Sequence, residues 1–197
     1  MMKHIISIII LSLVLFSCAK EESDDSATTE LEGTWVTSCN VYSDSLYRKL
    51  STVVSGTNFT VNYEYFSDSS CTTAASKWVD TQTSLSIGDA MVFSTYGASG
   101  GSGHQFTVYH NSTTAEWQNA SDVSWANTNS YCGETDWELN VAQDVSGKTC
   151  GSSTEWSSGI TIYGLYILDG NKFMPSYDED SYPSSVSSAD SNTFIKQ

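Results

Sequence analysis

The sequence is poor in positive charge and in proline. It has 8 Lys and Arg residues against 23 Asp and Glu, a formal net charge of −15, and only 2 prolines. A surface this acidic repels phosphate backbones and anionic membrane surfaces, so it excludes a nucleic-acid-binding protein. The same charge keeps an exported protein soluble, so it does not by itself indicate a cationic partner.

The motifs of common metal sites are also absent. The chain has no C-x-x-C pair and no D-x-D-x-D-G loop, so we expect neither zinc nor a calcium site, and no cofactor. His104 and His110 lie six residues apart on one face of a predicted strand, about 20 Å apart if it is straight, too far for one metal ion. The run from Asp178 to Asp180 is typical of a solvated acidic loop.

One stretch matches a catalytic motif in letters only. Residues 97–101 read G-x-S-x-G, but a nucleophile elbow needs a strand before it and a helix after it. Ser102, Gly103 and His104 follow, and they have no helical propensity. We therefore expect no nucleophile at Ser99, no catalytic residues elsewhere, and a protein that is not an enzyme.

The N-terminus has the pattern of a secretory signal over residues 1–17. Lys3 precedes an apolar run from Ile5 to Phe16, which is too short to span a bilayer as a mature helix. The next residue is Cys18, which an ordinary signal peptide has no need of. The stretch is either an ordinary signal peptide that happens to contain a cysteine or one in which the cysteine has a role of its own. Both interpretations predict export from the cytoplasm.

The residues Leu15-Phe16-Ser17-Cys18 resemble the lipobox of bacterial lipoproteins. The resemblance implies that Cys18 is lipidated and anchors a mature protein in the bacterial cell envelope. Ala19 and Lys20 lack the aspartate that retains some lipoproteins in the inner membrane, which favours the outer membrane. Residues 18–30 then form the lipidated N-terminus and a disordered acidic tether, because the stretch holds no large apolar side chain.

The cysteines fit an oxidising compartment. Five are present, and if Cys18 carries lipid the remaining four form an even set with three possible pairings. We favour Cys39 with Cys71 and Cys132 with Cys150, because neighbours in sequence meet easily in an antiparallel meander. Each closed loop would stabilise the fold by roughly 3 to 4 kcal/mol.

Residues 31–197 read as one all-β domain. Asn58 to Tyr65 alternates between apolar and polar side chains, and Trp78 to Ile87 and Ala90 to Tyr96 are further strand candidates. Asp169-Gly170 between two apolar runs indicates a hairpin, and a last strand over residues 193–195 could close the sheet against the first. We predict an antiparallel barrel of about 8–10 strands, with a β-sandwich as the alternative.

Between residues 113 and 159 the strand pattern weakens. Asp122 to Tyr131 could hold a helical turn there, with Asp122 as its cap.

The start of this domain resembles a known family. Gly33-Thr34-Trp35 is similar to the G-x-W signature of lipocalins, and Tyr65 to Asp68 shortly before Cys71 is similar to an element of small lipocalin-like (APCDD1-like) domains. The resemblance implies a lipocalin-like barrel in which Trp35 seals one end. True lipocalins place an arginine over that tryptophan, whereas the late cations here are Lys172 and Lys196.

The aromatic residues are the remaining clue to function. The chain has six Trp and eleven Tyr, more than the wall of a small barrel uses. Trp117, Trp125 and Trp156 fall in the irregular region, so we expect them to form a ligand-binding or surface platform. The leading hypothesis is a monomeric binding protein that contacts the lipid membrane through Cys18 and holds a small apolar or amphipathic ligand in the barrel mouth. The alternative is a structural, adhesion or carbohydrate-binding module that uses exposed aromatics.

Overall fold

The computed structural model describes residues 29–93 and 101–197, so Cys18 and Ser99 lie outside the described residues. Within these ranges no helix has the length and apolar character that a membrane span needs. The described residues form the strands β1 Gly33–Val36, β2 Asn40–Ser43, β3 Leu46–Ser55, β4 Asn58–Phe66, β5 Ala74–Phe93, β6 Gly101–Trp117, β7 Gln143–Asp144, β8 Thr149–Cys150, β9 Ser153–Thr154, β10 Thr161–Asp169, β11 Lys172–Asp178 and β12 Phe194–Lys196, with one α-helix, α1 Ala120–Thr128. Single 3-10 turns occur at Tyr131–Gly133 and Asp190–Asn192.

Eight of these strands close into an antiparallel barrel. The order around the barrel is β1, β12, β11, β10, β6, β5, β4 and β3, and β3 pairs back to β1. Strand β2 extends the sheet beside β3, and β7 pairs with β6. The all-β, lipocalin-like prediction is confirmed, and the chain forms a closed barrel rather than the alternative β-sandwich.

The clearest strand patterns behave as predicted. In β4, Phe59 and Val61 are buried and face the barrel interior, and the neighbouring polar residues Asn58 and Thr60 alternate outward. The hairpin at Asp169-Gly170 joins β10 to β11, with Gly170 at a φ of 61°. The last strand pairs with the first through Trp35 and Lys196, which closes the barrel as expected.

Two local predictions were wrong. The candidate 78–87 and residues 90–93 of the candidate 90–96 belong to one strand, β5, because register shifts against β6 absorb the extra residues and let pairing continue past Gly88. Residues 94–96 lie outside the described residues. Helix α1 begins earlier than Asp122: the side chain of Asn119 accepts a hydrogen bond from the Asp122 backbone N–H at 2.8 Å. Asn119 is the cap, and Asp122 lies in the first turn, where its charge favours the helix N-terminus.

One end of the barrel, here called the closed end, is packed solid around Trp35. The Trp35 indole N–H donates to the Leu31 carbonyl at 2.7 Å, and its ring lies 5.4 Å from that of Phe173. Trp35 and Leu31 are buried. The Lys196 Nζ lies 5.0 Å from the centre of the Trp35 ring, so a lysine takes the place that the resemblance assigns to an arginine.

The chain enters the barrel at this same end. Gly33 adopts a φ of 116°, which a glycine tolerates far better than other residues, as the chain turns into β1. Glu32 accepts a hydrogen bond from the Gly56 backbone N–H at 2.9 Å. Glu30, which the sequence analysis assigned to the tether, accepts a hydrogen bond from the Tyr166 hydroxyl, so this residue is held against the barrel.

Both predicted disulfides are formed. Cys39–Cys71 joins the link between β1 and β2 to the turn between β4 and β5. Cys132–Cys150 closes a loop in the irregular region after α1. Asp68 organises the turn before Cys71, because its carboxylate accepts hydrogen bonds from the backbone N–H groups of Ser70 and Thr73.

Candidate functional site

The end opposite to the closed end, here called the mouth, is covered by residues 118–159, here called the lid. The lid has a small core of its own, in which Trp137 and Ala126 are buried beside the Cys132–Cys150 disulfide. Asn127 holds Trp137 through two hydrogen bonds, from its amide nitrogen to the Trp137 carbonyl at 3.0 Å and from the Trp137 N–H to its amide oxygen at 2.7 Å. The lid is therefore a folded cap and not an open loop.

Backbone hydrogen bonds attach the lid to the barrel. Strand β7 pairs with the end of β6, and the Val145 N–H donates to the Thr113 carbonyl at 2.9 Å. Further on, the Gly159 N–H donates to the His110 carbonyl at 2.9 Å. These attachments are on β6, and the Gln118 N–H adds one to β5 by donating to the Ala75 carbonyl at 2.8 Å, so two neighbouring strands position the lid over the mouth.

A cavity of about 380 Å³ lies between the lid and the barrel interior. Seven of its fifteen lining residues are aromatic, and the charged ones are two acids. The lining residues are Tyr42, Leu46, Tyr63, Tyr65, Ser76, Trp78, Asp80, Thr113, Trp117, Tyr131, Cys150, Ser153, Thr154, Glu155 and Trp156. The volume is at the small end of the range for ligand sites, about 300 to 1,000 Å³.

Aromatic rings meet at steep angles in this wall. Tyr131 is tilted by 84° to Trp78 and by 71° to Trp117, with ring centres 6.4 Å and 5.5 Å apart. Trp117 also meets Trp137 at 85°. Edge-to-face contacts of this kind are a favoured packing of aromatic rings and fix the orientation of the ring planes in the wall.

A β-bulge places a polar cluster at the inner side of the cavity. Residues three apart on a regular strand face opposite sides of the sheet. In β6, however, Gln82 pairs with His110 and Thr81 pairs with Ser112, so Asn111 is the extra residue of a bulge. His110 and Thr113 therefore both point into the barrel, and both are buried.

These two side chains meet Asp80 of β5. The Thr113 hydroxyl donates to the Asp80 carboxylate at 2.6 Å and lies 3.2 Å from the Nε2 atom of His110. That hydroxyl has one hydrogen, so when it donates to Asp80 its oxygen can accept a hydrogen bond from a protonated Nε2 of His110. Tyr63 on β4 is hydrogen-bonded to Asp80 as well.

Burial favours the uncharged form of each ionisable group in this cluster. It raises the pKa of Asp80 above the ordinary 3.8, against the opposing effects of the Thr113 hydrogen bond and of His110. It lowers the pKa of His110 below the ordinary 6.5, although Asp80 opposes that shift. Burial and the nearby Asp80 both hold the pKa of Tyr63 well above 10.

The second acid of the cavity is Glu155, on the lid. Burial raises its pKa above the ordinary 4.5, and the charge of Asp80 raises it further. Asp80 is 6% exposed, whereas Glu155 is half-buried. The two carboxyl groups therefore face one cavity from opposite sides, from the barrel and from the lid.

Several buried polar groups near the cavity lack hydrogen-bond partners among the described residues, and the Nδ1 atom of His110 is one of them. The indole N–H of Trp117, a lining residue, is buried and unpaired. The amide of Gln82 is also unpaired, and Gln82 follows Asp80 on the same face of β5, further from the mouth. An unpaired buried polar group costs about 1 to 3 kcal/mol, so the inside of the mouth retains unused hydrogen-bonding capacity.

A smaller cavity of about 240 Å³ lies between β3, β4 and β11. Tyr63 lines both cavities and separates them, and Arg48 is the basic residue at the smaller one. The Arg48 guanidinium lies 5.0 Å from the centre of the Tyr42 ring. Its charge is thus placed beside the mouth cavity but is not part of its lining.

The structure separates the three predicted tryptophans. Trp117 and Trp156 are half-buried and line the mouth cavity. Trp125, on α1, is 51% exposed and packs its ring against Trp117 with centres 6.2 Å apart, outside the lining. Whether any of them binds a ligand stays a prediction.

Sequence reasoning missed the acids of the cavity. Asp80 lies between Trp78 and Gln82 on the inward face of β5. A carboxyl group on a strand face that otherwise points to the core was the signal that could have identified it. Glu155 and Thr113 carried no such signal, because the lid fold and the bulge at Asn111 decide where they point.

The other candidates are not brought together. His110 is buried in the barrel, and His104 stacks on Tyr166 with ring centres 5.8 Å apart. Asp178 accepts hydrogen bonds from the backbone N–H groups of Asp180 and Ser181 in an exposed turn. In residues 29–93 and 101–197, no group of three His, Cys, Asp or Glu side chains could hold a metal ion.

No protein-family model matches the chain, and no curated protein matches it at a significant level of sequence similarity. The likeness to lipocalin-like lipoproteins is therefore one of short motifs and of barrel architecture. Function has to be argued from the geometry of the mouth.

Proposed function

We propose that this protein binds a small amphipathic molecule in the cavity at the barrel mouth. The observation that carries the proposal is the contrast between the two ends of the barrel. The closed end is packed around Trp35, whereas the mouth holds a space of about 380 Å³ with aromatic walls. A barrel of eight strands is wide enough for core side chains or for one small ligand.

The chemistry of the lining supports an amphipathic ligand over a purely apolar one. The rings of Trp78, Trp117 and Trp156 offer apolar surface, and Asp80 with the unpaired Trp117 N–H offers polar contacts. Sites for small molecules have this composition, mostly apolar with a few placed polar groups.

Intrinsic fluorescence tests the proposal directly, since three tryptophans line the cavity. A panel of small aromatic and amphipathic compounds should include members that change the emission saturably. Trp117→Ala and Trp156→Ala should each weaken binding by at least about tenfold, because each removes a wall of the cavity. Absence of saturable binding across the panel would refute the proposal.

The exposed Trp125 supports a second candidate, a surface module that binds carbohydrate or another macromolecule. Val41 and Tyr42 near the mouth are also exposed, at 72% and 51%. Glycan-array binding that Trp125→Ala abolishes, and that Trp156→Ala leaves intact, would assign the function to the surface. The cavity proposal predicts the opposite ranking of the two variants.

We also propose that the protein is a lipoprotein of the bacterial envelope, held in the outer membrane through Cys18. The support is the lipobox-like sequence Leu15 to Cys18 and the residues that follow it. Labelling of the expressed chain with a palmitate analogue should be lost in Cys18→Ser. Fractionation of envelopes from cells that express the wild type or Cys18→Ser then tests whether the protein is in the outer membrane.

The prediction that the chain is not an enzyme has its own test. Ser99 is the sole residue that a catalytic motif singles out. Purified protein should show no hydrolysis of short-chain esters above the level of the Ser99→Ala variant. Esterase activity that this substitution removes would contradict the prediction.

A further inference from the structure

The mouth cavity carries charge of one sign, which bears on the ligand that the proposed function assumes. Asp80 and Glu155 line it, and no Lys or Arg belongs to its lining in the part of the chain that the structure describes. The basic side chains of Arg48 and Lys148 lie outside the lining, although Arg48 is beside it and contacts the lining residues Tyr42 and Tyr65. Arg48 lies over the Tyr42 ring, and Lys148 pairs with Glu134 at 2.6 Å.

Two acids in one partly buried cavity are costly without a positive partner. Moving a carboxylate out of water costs several kcal/mol, and two like charges that share a site oppose each other's ionisation. Thr113 and Tyr63 supply hydrogen bonds to Asp80 but no positive charge, and burial disfavours the charged form of His110. A cation between Asp80 and Glu155 would stabilise both.

The aromatic wall of the cavity also suits a positively charged ligand. Ring faces attract cations, and sets of rings that surround a point bind substituted ammonium groups. Tyr131 stands nearly perpendicular to Trp78 and at 71° to Trp117, so these lining rings lie in different planes and do not form one flat platform. The aromatic surface would offer little to a metal ion, which prefers oxygen ligands.

We propose that the ligand in the mouth cavity carries an organic ammonium group, which Asp80 and Glu155 neutralise and the rings of Trp78, Trp117 and Tyr131 enclose. This inference rests on the proposed function and specifies its ligand class. The apolar part of the ligand would lie against Trp156, on the lid side.

Three probes of nearly equal size and different charge test the inference. Titration calorimetry with 2-phenylethylammonium, 2-phenylethanol and 3-phenylpropanoate should give the tightest binding for the ammonium compound. We expect it to bind at least about tenfold more tightly than the alcohol, and the carboxylate to bind weakest.

Charge-neutral variants locate the effect. Asp80→Asn and Glu155→Gln should each remove most of the preference for the ammonium compound, because each lowers its affinity far more than the affinity for the alcohol. Asp169→Asn is the matched control, because it removes the same charge at an exposed turn of the closed end. It should leave the preference intact, which separates a local counter-ion from the acidity of the whole surface.

The pH dependence gives an independent readout. Asp80 faces Tyr63 on β4, His110 and Thr113 on β6, Tyr177 on β11 and Glu155 on the lid. Acidification protonates the two carboxyls and His110, so affinity for the ammonium compound should fall much more than affinity for the alcohol. Circular dichroism at each pH would verify that the chain remains folded.

The outcomes separate this inference from the proposed function. Equal binding of the ammonium compound and the alcohol, or tighter binding of the carboxylate, would overturn the ammonium assignment and leave a ligand site in place. Binding of calcium ions that blocks the ammonium compound and needs both acids would overturn it in favour of a metal site. Absence of binding by all three probes and by the wider panel would overturn both proposals.

Discussion

Gly164 on β10 is the glycine at which an added methyl group should lower the stability of the fold most. A Cβ atom built on Gly164 would lie 2.1 Å from two carbons of the Phe106 ring, far inside the normal contact distance of about 3.5 to 4.0 Å. Phe106 cannot retreat easily, because it is fully buried and its ring centre lies within 5.8 Å of those of Phe59, Tyr166 and Tyr177.

The magnitude follows from this confinement. Overpacking of a filled core costs typically about 1 to 3 kcal/mol, and the short distance and fixed ring place Gly164→Ala near the upper value, about 3 kcal/mol. For a chain of this size, each kcal/mol corresponds to a change in Tm of about 2 to 4 °C. The variant should therefore melt about 6 to 12 °C below the wild type.

Chemical unfolding in urea, followed by tryptophan fluorescence, measures the free energy change, and a thermal scan measures Tm. Gly88→Ala is the matched control: its Cβ would meet the Gln105 carbonyl oxygen at 3.5 Å, an ordinary contact. It should be neutral or slightly stabilising, because alanine restricts the unfolded chain. Phe106→Leu should partly rescue Gly164→Ala, with a coupling energy of at least about 1 kcal/mol in a double-mutant cycle.

Equal stability of Gly164→Ala and Gly88→Ala would refute the reasoning. So would an additive double mutant, because additivity would mean that the Phe106 ring is not what the methyl group meets.

Three further predictions concern other parts of the fold. Replacing both Cys132 and Cys150 with serine should lower the free energy of unfolding by about 3 kcal/mol, since the bridge spans 18 residues; urea unfolding measures this. The same change should weaken ligand binding, because the bridge holds the lid together, and calorimetry measures that effect. Lys196→Gln should lower the free energy of unfolding by about 0.5 to 1 kcal/mol by removing the cation over Trp35, whereas Lys172→Gln should not. Hydrogen bonds, above all the one from the Thr73 backbone N–H, lower the pKa of Asp68 from 3.8 to about 2. The contribution of Asp68 to stability is therefore present above pH 4 and lost as the pH falls toward 2. In acid titrations of Tm, Asp68→Asn should lose less stability over that range than the wild type.

The parts of the fold that the sequence predicts are those with short-range causes. Alternation from Asn58 to Tyr65 and the Asp169-Gly170 turn each set a local structure that the barrel keeps. The disulfide partners Cys39 and Cys71 lie on neighbouring turns for the same reason, because strands adjacent in sequence pair with each other.

The candidate site depends on long-range causes that no local pattern carries. Thr113 faces inward only because the extra residue Asn111 reverses the alternation of β6 at that point. Glu155 reaches the cavity because the lid folds around Trp137 and the Cys132–Cys150 bridge. The predicted helix cap at Asp122 was wrong, because Asn119, three residues earlier, is the cap.

The place where the chain enters the barrel decides which way a tethered molecule would face. Glu30 and Glu32 meet the barrel beside Tyr166 and the Gly56 turn, at the end opposite to the mouth. If the chain is anchored through its leader as proposed, the tether is attached at the end of the barrel that holds Trp35, and the lid lies at the end away from it. Its ligand would be collected from solution, and a large partner could reach the lid without approaching the anchoring bilayer.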